Sequence, residues 1–129
     1  MTLRDSGRPE ADECQPYYQQ YIRPVPDSDI FATLDRQIGE TAAYLAAYTP
    51  EQARWREAPG EWNAIEIVGL LADTERVFGD RGLRIARAVA ATWTAAKFED
   101  YVRAANFEQR ELADVSAEFA TVRSKERTC

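Results

Sequence analysis

The stretch from Ala58 to Ala90, APGEWNAIEIVGLLADTERVFGDRGLRIARAVA, decides the fold. It opens on a Pro59-Gly60 turn, and Asn63 and Glu66 have capping-box spacing, with Asn standing where Ser or Thr is usual. The spacing predicts one long helix running to about Ala90. At about 100° per residue, Ile65, Val68, Ala72, Leu83 and Ala86 fall together, and Ile67, Leu71, Phe78 and Ile85 widen the arc. Glu66, Asp73, Arg76, Asp80, Arg84 and Arg87 fall opposite and read as a solvated face. Their pairs at three or four residues' separation contribute only a few tenths of a kcal/mol each.

Glu75 does not belong to that charged face. It projects between Leu71, Ala72, Phe78 and Gly79, inside the apolar arc. An unpaired buried carboxylate either protonates or finds a partner. Glu75 is therefore expected to meet an Arg elsewhere in the bundle or to line a wet cavity. Leu70 sits at the edge of the arc with Thr74 and Val77 one and two turns on, and taken alone it is a core residue.

Outward from this helix the pattern stays helical. PDSDIF (26–31) predicts a helix start with Asp27 as N-cap and Asp29 in the first turn, followed by an apolar stripe of Ile30, Leu34, Ile38, Ala42 and Leu45. TPEQ (49–52) predicts a short helix with Thr49 as cap and Pro50 at its first position. AVAATWTAAKF (88–98) reads as a loop or frayed segment and FEDYVRAAN (98–106) as a short helix. From Asn106 a third long helix carries Leu112, Val115, Phe119 and Val122, a bundle seam that stops after Ser124. No strand-length alternation appears, so the fold is all-α, and antiparallel packing of three long helices is the simplest arrangement. Residues 1–15 are expected to form a disordered arm. Tyr17, Tyr18, Tyr21 and Ile22 are expected to clamp onto a domain spanning 16–124, and 125–129 to form a charged tail.

Composition narrows the function. With 129 residues, 45% apolar and 29% charged, the chain is expected to build one core. A net charge of −6, with 16 basic residues scattered among 22 acidic ones, argues against nucleic acid or an anionic membrane as partner. The opening MTLRDSGRPEADE has no apolar signal-peptide core and no run is long enough to span a bilayer, so a cytoplasmic protein is expected. Cys14 and Cys129 lie near opposite ends and read as free thiols. Histidine is absent, which removes Ser-His and Cys-His pairs, and no Gly-rich phosphate loop or cysteine motif replaces them.

YYQQYIRPVPDSDI (17–30), APGEWNAIEIVGLLADTERVFGDRGLRIAR (58–87) and YVRAANFEQRELADVSAEFATVRS (101–124), in that order, resemble the DinB-like family of bacterial helical bundles. That family includes metal-dependent hydrolases and thiol-dependent transferases. The resemblance implies an up-down-down-up four-helix bundle holding a divalent metal such as zinc or nickel on three histidines. One lies in a Gly-His-Leu step of the second helix, and a His-x-x-x-His pair lies near the start of the fourth. Here the step reads Gly69-Leu70-Leu71, and leucine has no lone pair to give. The segment that would supply the other two ligands is missing, so the chain reads as lacking its fourth helix. Glu75, in Asp-Thr-Glu, matches the family, and Leu70, Thr74 and Glu75 are the pocket-lining candidates.

Three readings follow. The first is a DinB-like domain that has lost its metal site, with no cofactor and no catalytic residue, either non-catalytic or truncated. The second is a metal-dependent hydrolase or thiol transferase completed by a partner chain or a longer reading frame. The third is an acidic helical interaction module. A fourth helix would bury perhaps six large side chains at roughly 1.5 to 3 kcal/mol each, so its absence is expected to expose an apolar groove. Parts of the Ile30 to Leu45, Ile65 to Leu83 and Leu112 to Val122 stripes would line it, inviting a homo-oligomer or a partner helix.

Overall fold

A computed structural model of the chain describes residues 7–26, 29–89 and 97–128. Regular structure there consists of α1 (Gln19–Ile22), α2 (Ile30–Ala46), α3 (Pro50–Arg54), α4 (Ala64–Ala86), α5 (Phe98–Ala105) and α6 (Leu112–Thr128). Short 3-10 turns occupy Pro16–Tyr18 and Phe107–Gln109, and the described residues hold no strand. The all-α expectation holds, and the three long helices α2, α4 and α6 are the three read from the sequence. The chain divides into two units, Met1–Gln37 and Ile38–Cys129.

In the first unit the rings of Tyr17, Tyr18 and Tyr21 pack edge-on against one another, with centroids 5.3 and 5.8 Å apart. Each ring remains half or more exposed. The guanidinium of Arg8 donates to the carbonyls of Ile22, at 2.7 Å, and Val25. The cap of α2 is Asp29 rather than a first-turn residue: its Oδ1 accepts from the backbone N–H of Phe31 at 2.9 Å and of Ala32 at 3.3 Å. The expected cap, Asp27, lies outside the described residues.

The second unit carries the core, built from Leu45, Ala53, Ile65, Val68, Ala72, Val102, Phe107, Leu112, Val115 and Phe119. Capping boxes form at the starts of both α3 and α4. Thr49 Oγ1 accepts from Gln52 N–H at 3.1 Å while Gln52 Oε1 accepts from Thr49 N–H at 2.9 Å. Asn63 Oδ1 accepts from Glu66 N–H at 3.0 Å while Glu66 Oε1 accepts from Asn63 N–H at 3.2 Å. Helix α4 ends earlier than its apolar pattern suggests. Ala88 turns into the left-handed region at φ 52°, and the N–H groups of Ala88 and Val89 donate back to Ile85 and Arg84. That is a Schellman closure made with alanine where glycine is usual. The expected loop after it falls partly on residues 90–96, outside the described residues. Helix α6 also differs from expectation. The chain makes a 3-10 turn at Phe107–Gln109 after Asn106 adopts φ 54°, and α6 starts only at Leu112 and continues past Ser124 to Thr128.

Antiparallel packing of neighbours does not hold for α4 and α6. Phe107, just before α6, meets Gly69 near the start of α4, Glu118 meets Arg76, and Arg123 meets Glu75. The turn before α6 lies at the start of α4, and the later turns of α6 lie beside the middle of α4, so the two helices run parallel. Parallel neighbours need a crossover, and the segment from Arg87 to Glu111 supplies it, with Val102 of α5 buried in the core on the way. This is the down-down step that the family resemblance implies.

Gly69 is required where α4 meets the incoming chain. A Cβ there would lie 2.5 to 2.6 Å from three ring carbons of Phe107, which is itself 5% exposed. A ring held in a core cannot yield that far without displacing its neighbours. Gly69→Ala is expected to destabilise the chain by about 1 to 3 kcal/mol despite the better helix propensity of alanine. Urea melts of the variant and of Gly82→Ala, where a Cβ meets nothing within 4 Å, provide the comparison. Equal effects at the two glycines would refute the packing argument.

Candidate functional site

Leu70 follows Gly69 on α4 and is a partly buried residue packed against the core cluster. One turn on, Thr74 is half-buried, and its Oγ1 donates to the Leu70 carbonyl at 2.8 Å, so its hydroxyl is turned back onto its own helix. Glu75 lies five residues beyond Leu70, which on a helix sets the two side chains about 140° apart. Of the three candidates, Leu70 and Thr74 are linked by a hydrogen bond and Glu75 faces a different neighbour.

That neighbour is Arg123 of α6. Its Nη2 lies 2.7 Å and its Nε 3.0 Å from Glu75 Oε1, with the two side chains 19% and 24% exposed. The guanidinium carbon stands 5.3 Å from the centroid of the Phe119 ring, so the cation is held between a carboxylate and an aromatic face. The partner anticipated for Glu75 as an Arg elsewhere in the bundle is thus Arg123, one residue past the last apolar position of the α6 seam. A charged residue beside a seam position is a weak signal in sequence, which is why its number could not be read there.

The metal that the resemblance implies does not fit the residues present. Leu70 offers no donor atom and is packed, partly buried, against the core, and the Glu75 oxygen nearest α6 takes both Arg123 bonds. Among the described residues no three His, Cys, Asp or Glu side chains converge in a way that could hold an ion.

Two further polar clusters join α4 to the rest of the second unit. Glu66 is not on a solvated face as its helical phase suggested. It is 9% exposed and pairs with Arg56, whose other nitrogen pairs with Glu108. Arg54 donates to the Glu108 carbonyl at 2.8 Å beside it. Arg56 thereby ties the start of α4 to the 3-10 turn before α6. The signal for this in sequence is the capping-box role of Glu66, which anchors its side chain at the helix start rather than in solvent.

The second cluster spans α4 and α6. Arg76 pairs with Asp73 at 3.2 Å and crosses to Glu118 at 3.1 Å, rather than reaching Asp80. Asp80 pairs instead with Arg84 at 2.9 Å. Arg110 pairs with Asp114 at 2.7 Å and Glu118 at 2.8 Å. Hydrogen bonding from Arg110 holds the Glu118 carboxyl below its ordinary value of 4.5, against a desolvation cost, and Arg76 adds to the effect. Asp114 is held low by the same guanidinium. Asp73 moves the other way, because burial raises it by more than Arg76 lowers it.

These shifts set an acid dependence. A carboxyl whose folded value is depressed contributes stability that is complete above its unfolded value and is lost as pH falls through the folded value. Glu118 and Asp114 therefore add stability above about pH 4.5 that disappears below it. Asp73, whose value is raised, opposes them, since its contribution is greatest when protonated. Thermal melts of Glu118→Gln and the unaltered chain between about pH 7 and 2.5 are expected to differ most at the upper end and to converge at the lower. Parallel curves with a constant offset would remove Glu118 from the acid response.

No described helix is long and apolar enough to cross a membrane. A family model described as the DinB superfamily matches residues 33–125, which takes in most of the chain, including Gly69, Leu70, Glu75 and Arg123. No curated protein and no solved structure gives a significant match. A match of that extent, on a helical fold with parallel α4 and α6, places the chain in a family: it belongs to the DinB superfamily.

Proposed function

We propose that this chain is a DinB-superfamily helical domain that works without a metal centre, a non-catalytic member whose role is carried by its surface. The observation that supports this reading is the side chain of Leu70, which stands where the resemblance would put the first metal ligand and is packed against the core. Chemistry elsewhere in the chain points the same way. Histidine is absent, and the one family-matching carboxylate, Glu75, is held by Arg123. A carboxylate alone, engaged by a guanidinium, is a poor substitute for three imidazoles.

The test is metal content. The purified chain, loaded with zinc or nickel and dialysed against a weak chelator, is expected to retain far less than one equivalent by elemental analysis. Leu70→His is expected to leave that result unchanged, because one imidazole provides too few ligands. Stoichiometric metal in the unaltered chain would overturn the reading and favour a metal-dependent hydrolase or thiol transferase.

A further inference from the structure

Helix α4 carries a second apolar face besides the one in the core. Ile67 is 45% exposed, Leu71 42%, Phe78 55% and Ile85 67%, although the same helix buries Ile65, Val68 and Ala72 almost completely. Together with Thr74 and Arg81 these residues occupy positions 67, 71, 74, 78, 81 and 85, alternating steps of four and three. All six lie within about 40° of one line along the helix, the layout of a coiled-coil seam, and the line is about 27 Å long. The Arg81 guanidinium stands over the Phe78 ring at 5.5 Å, so its aliphatic stem covers part of the seam.

The order of steps is the same read from either end. Reversal about Arg76 exchanges 67 with 85, 71 with 81 and 74 with 78. Two copies of α4 laid antiparallel about a two-fold axis therefore set Ile67 against Ile85 of the second copy, Leu71 against the stem of its Arg81, and Phe78 over its Thr74. Such self-complementarity is what a closed two-fold interface demands. Charge selects the same orientation. A parallel pair would stack Arg81 on Arg81, whereas the antiparallel pair separates them to opposite ends of the seam. Glu75 flanks the seam nearest the axis, but each copy brings its own Arg123 at 2.7 Å. Two ion pairs, not two bare carboxylates, then approach across the axis.

We propose that α4 is a self-pairing helix, joining two copies of this chain in an antiparallel dimer through Ile67, Leu71, Phe78 and Ile85. This pairing does not depend on whether the chain binds metal, so its test is separate from that of metal content.

Two full-length variants test it, each in a Cys14→Ser, Cys129→Ser background, one carrying Ile67→Cys and the other Ile85→Cys. Under mild oxidation the mixture is expected to give a covalent dimer joining 67 to 85, and each variant alone none. Sedimentation of the unaltered chain is expected to show a dimer at micromolar concentration. Phe78→Glu should raise its dissociation constant about 30-fold or more while leaving helicity intact, since Phe78 is exposed in a single copy. A monomeric unaltered chain, 67-to-67 cross-links, failure of the mixture to cross-link, or a Phe78→Glu chain that stays dimeric would each overturn the proposal.

Discussion

The ring of Phe107 lies on the bare backbone of Gly69, and the parallel alignment of α4 and α6 depends on that contact. A crossover connection leaves the returning chain free to dock anywhere along α4 unless something fixes its level. Helix α4 lacks a Cβ at Gly69, Gly79 and Gly82, and of these only Gly69 is buried, beside Ile65, Val68 and Ala72, so the ring lies there. Arg54 and Arg56 secure the same junction from the other side, by bonding to Glu108 and, in the case of Arg56, to buried Glu66. With that level set, Leu112, Val115 and Phe119 enter the core in register, and Arg123 arrives beside Glu75.

Much of this was legible in the sequence because it depends on neighbours along the chain. The capping boxes at Thr49 and Asn63, the short helices α3 and α5, and the α6 seam are written in spacings of three and four residues. What was not legible depends on chain direction or on groups far apart. Residue periodicity does not distinguish a parallel neighbour from an antiparallel one, since both bury the same stripe. The end of α4 was misplaced by its C-cap, where Ala88 takes a left-handed conformation that sequence rules assign to glycine. Glu66 was misplaced for a related reason. Its position on the helical wheel is polar, but the wheel omits the α3 loop, whose Arg56 covers that side and pairs with it.

Of the pocket candidates, Glu75 was read because it broke the pattern. Glu75 sits among apolar neighbours, and the cost of leaving a carboxylate there unpaired demanded a partner in the fold. Arg123 answers the demand, and in doing so it links the centre of α4 to the later turns of α6. Farther toward the start of α6, Arg76, Glu118, Arg110 and Asp114 form a second line of ion pairs along the same two helices. Its members are more exposed, so each pair alone contributes little. Shared partners make the line responsive to acid as a group.

Helix α4 also explains why a wide apolar arc was the hardest feature to interpret. The arc combines two populations, Ile65, Val68 and Ala72 in the core and Ile67, Leu71, Phe78 and Ile85 in solvent. Leu83 and Ala86, which share the phase of the core residues, are also exposed because α4 buries nothing beyond Ala72. Apolar side chains are favoured in a core and in a helix-helix seam by the same loss of contact with water, so a helical wheel draws them as one surface. Only the positions of the neighbours divide them. Glu75 stands on the boundary between the two faces. With Arg123 it supplies an ionic edge to both, which gives a physical reason for a carboxylate in the middle of an apolar arc that does not involve a reaction.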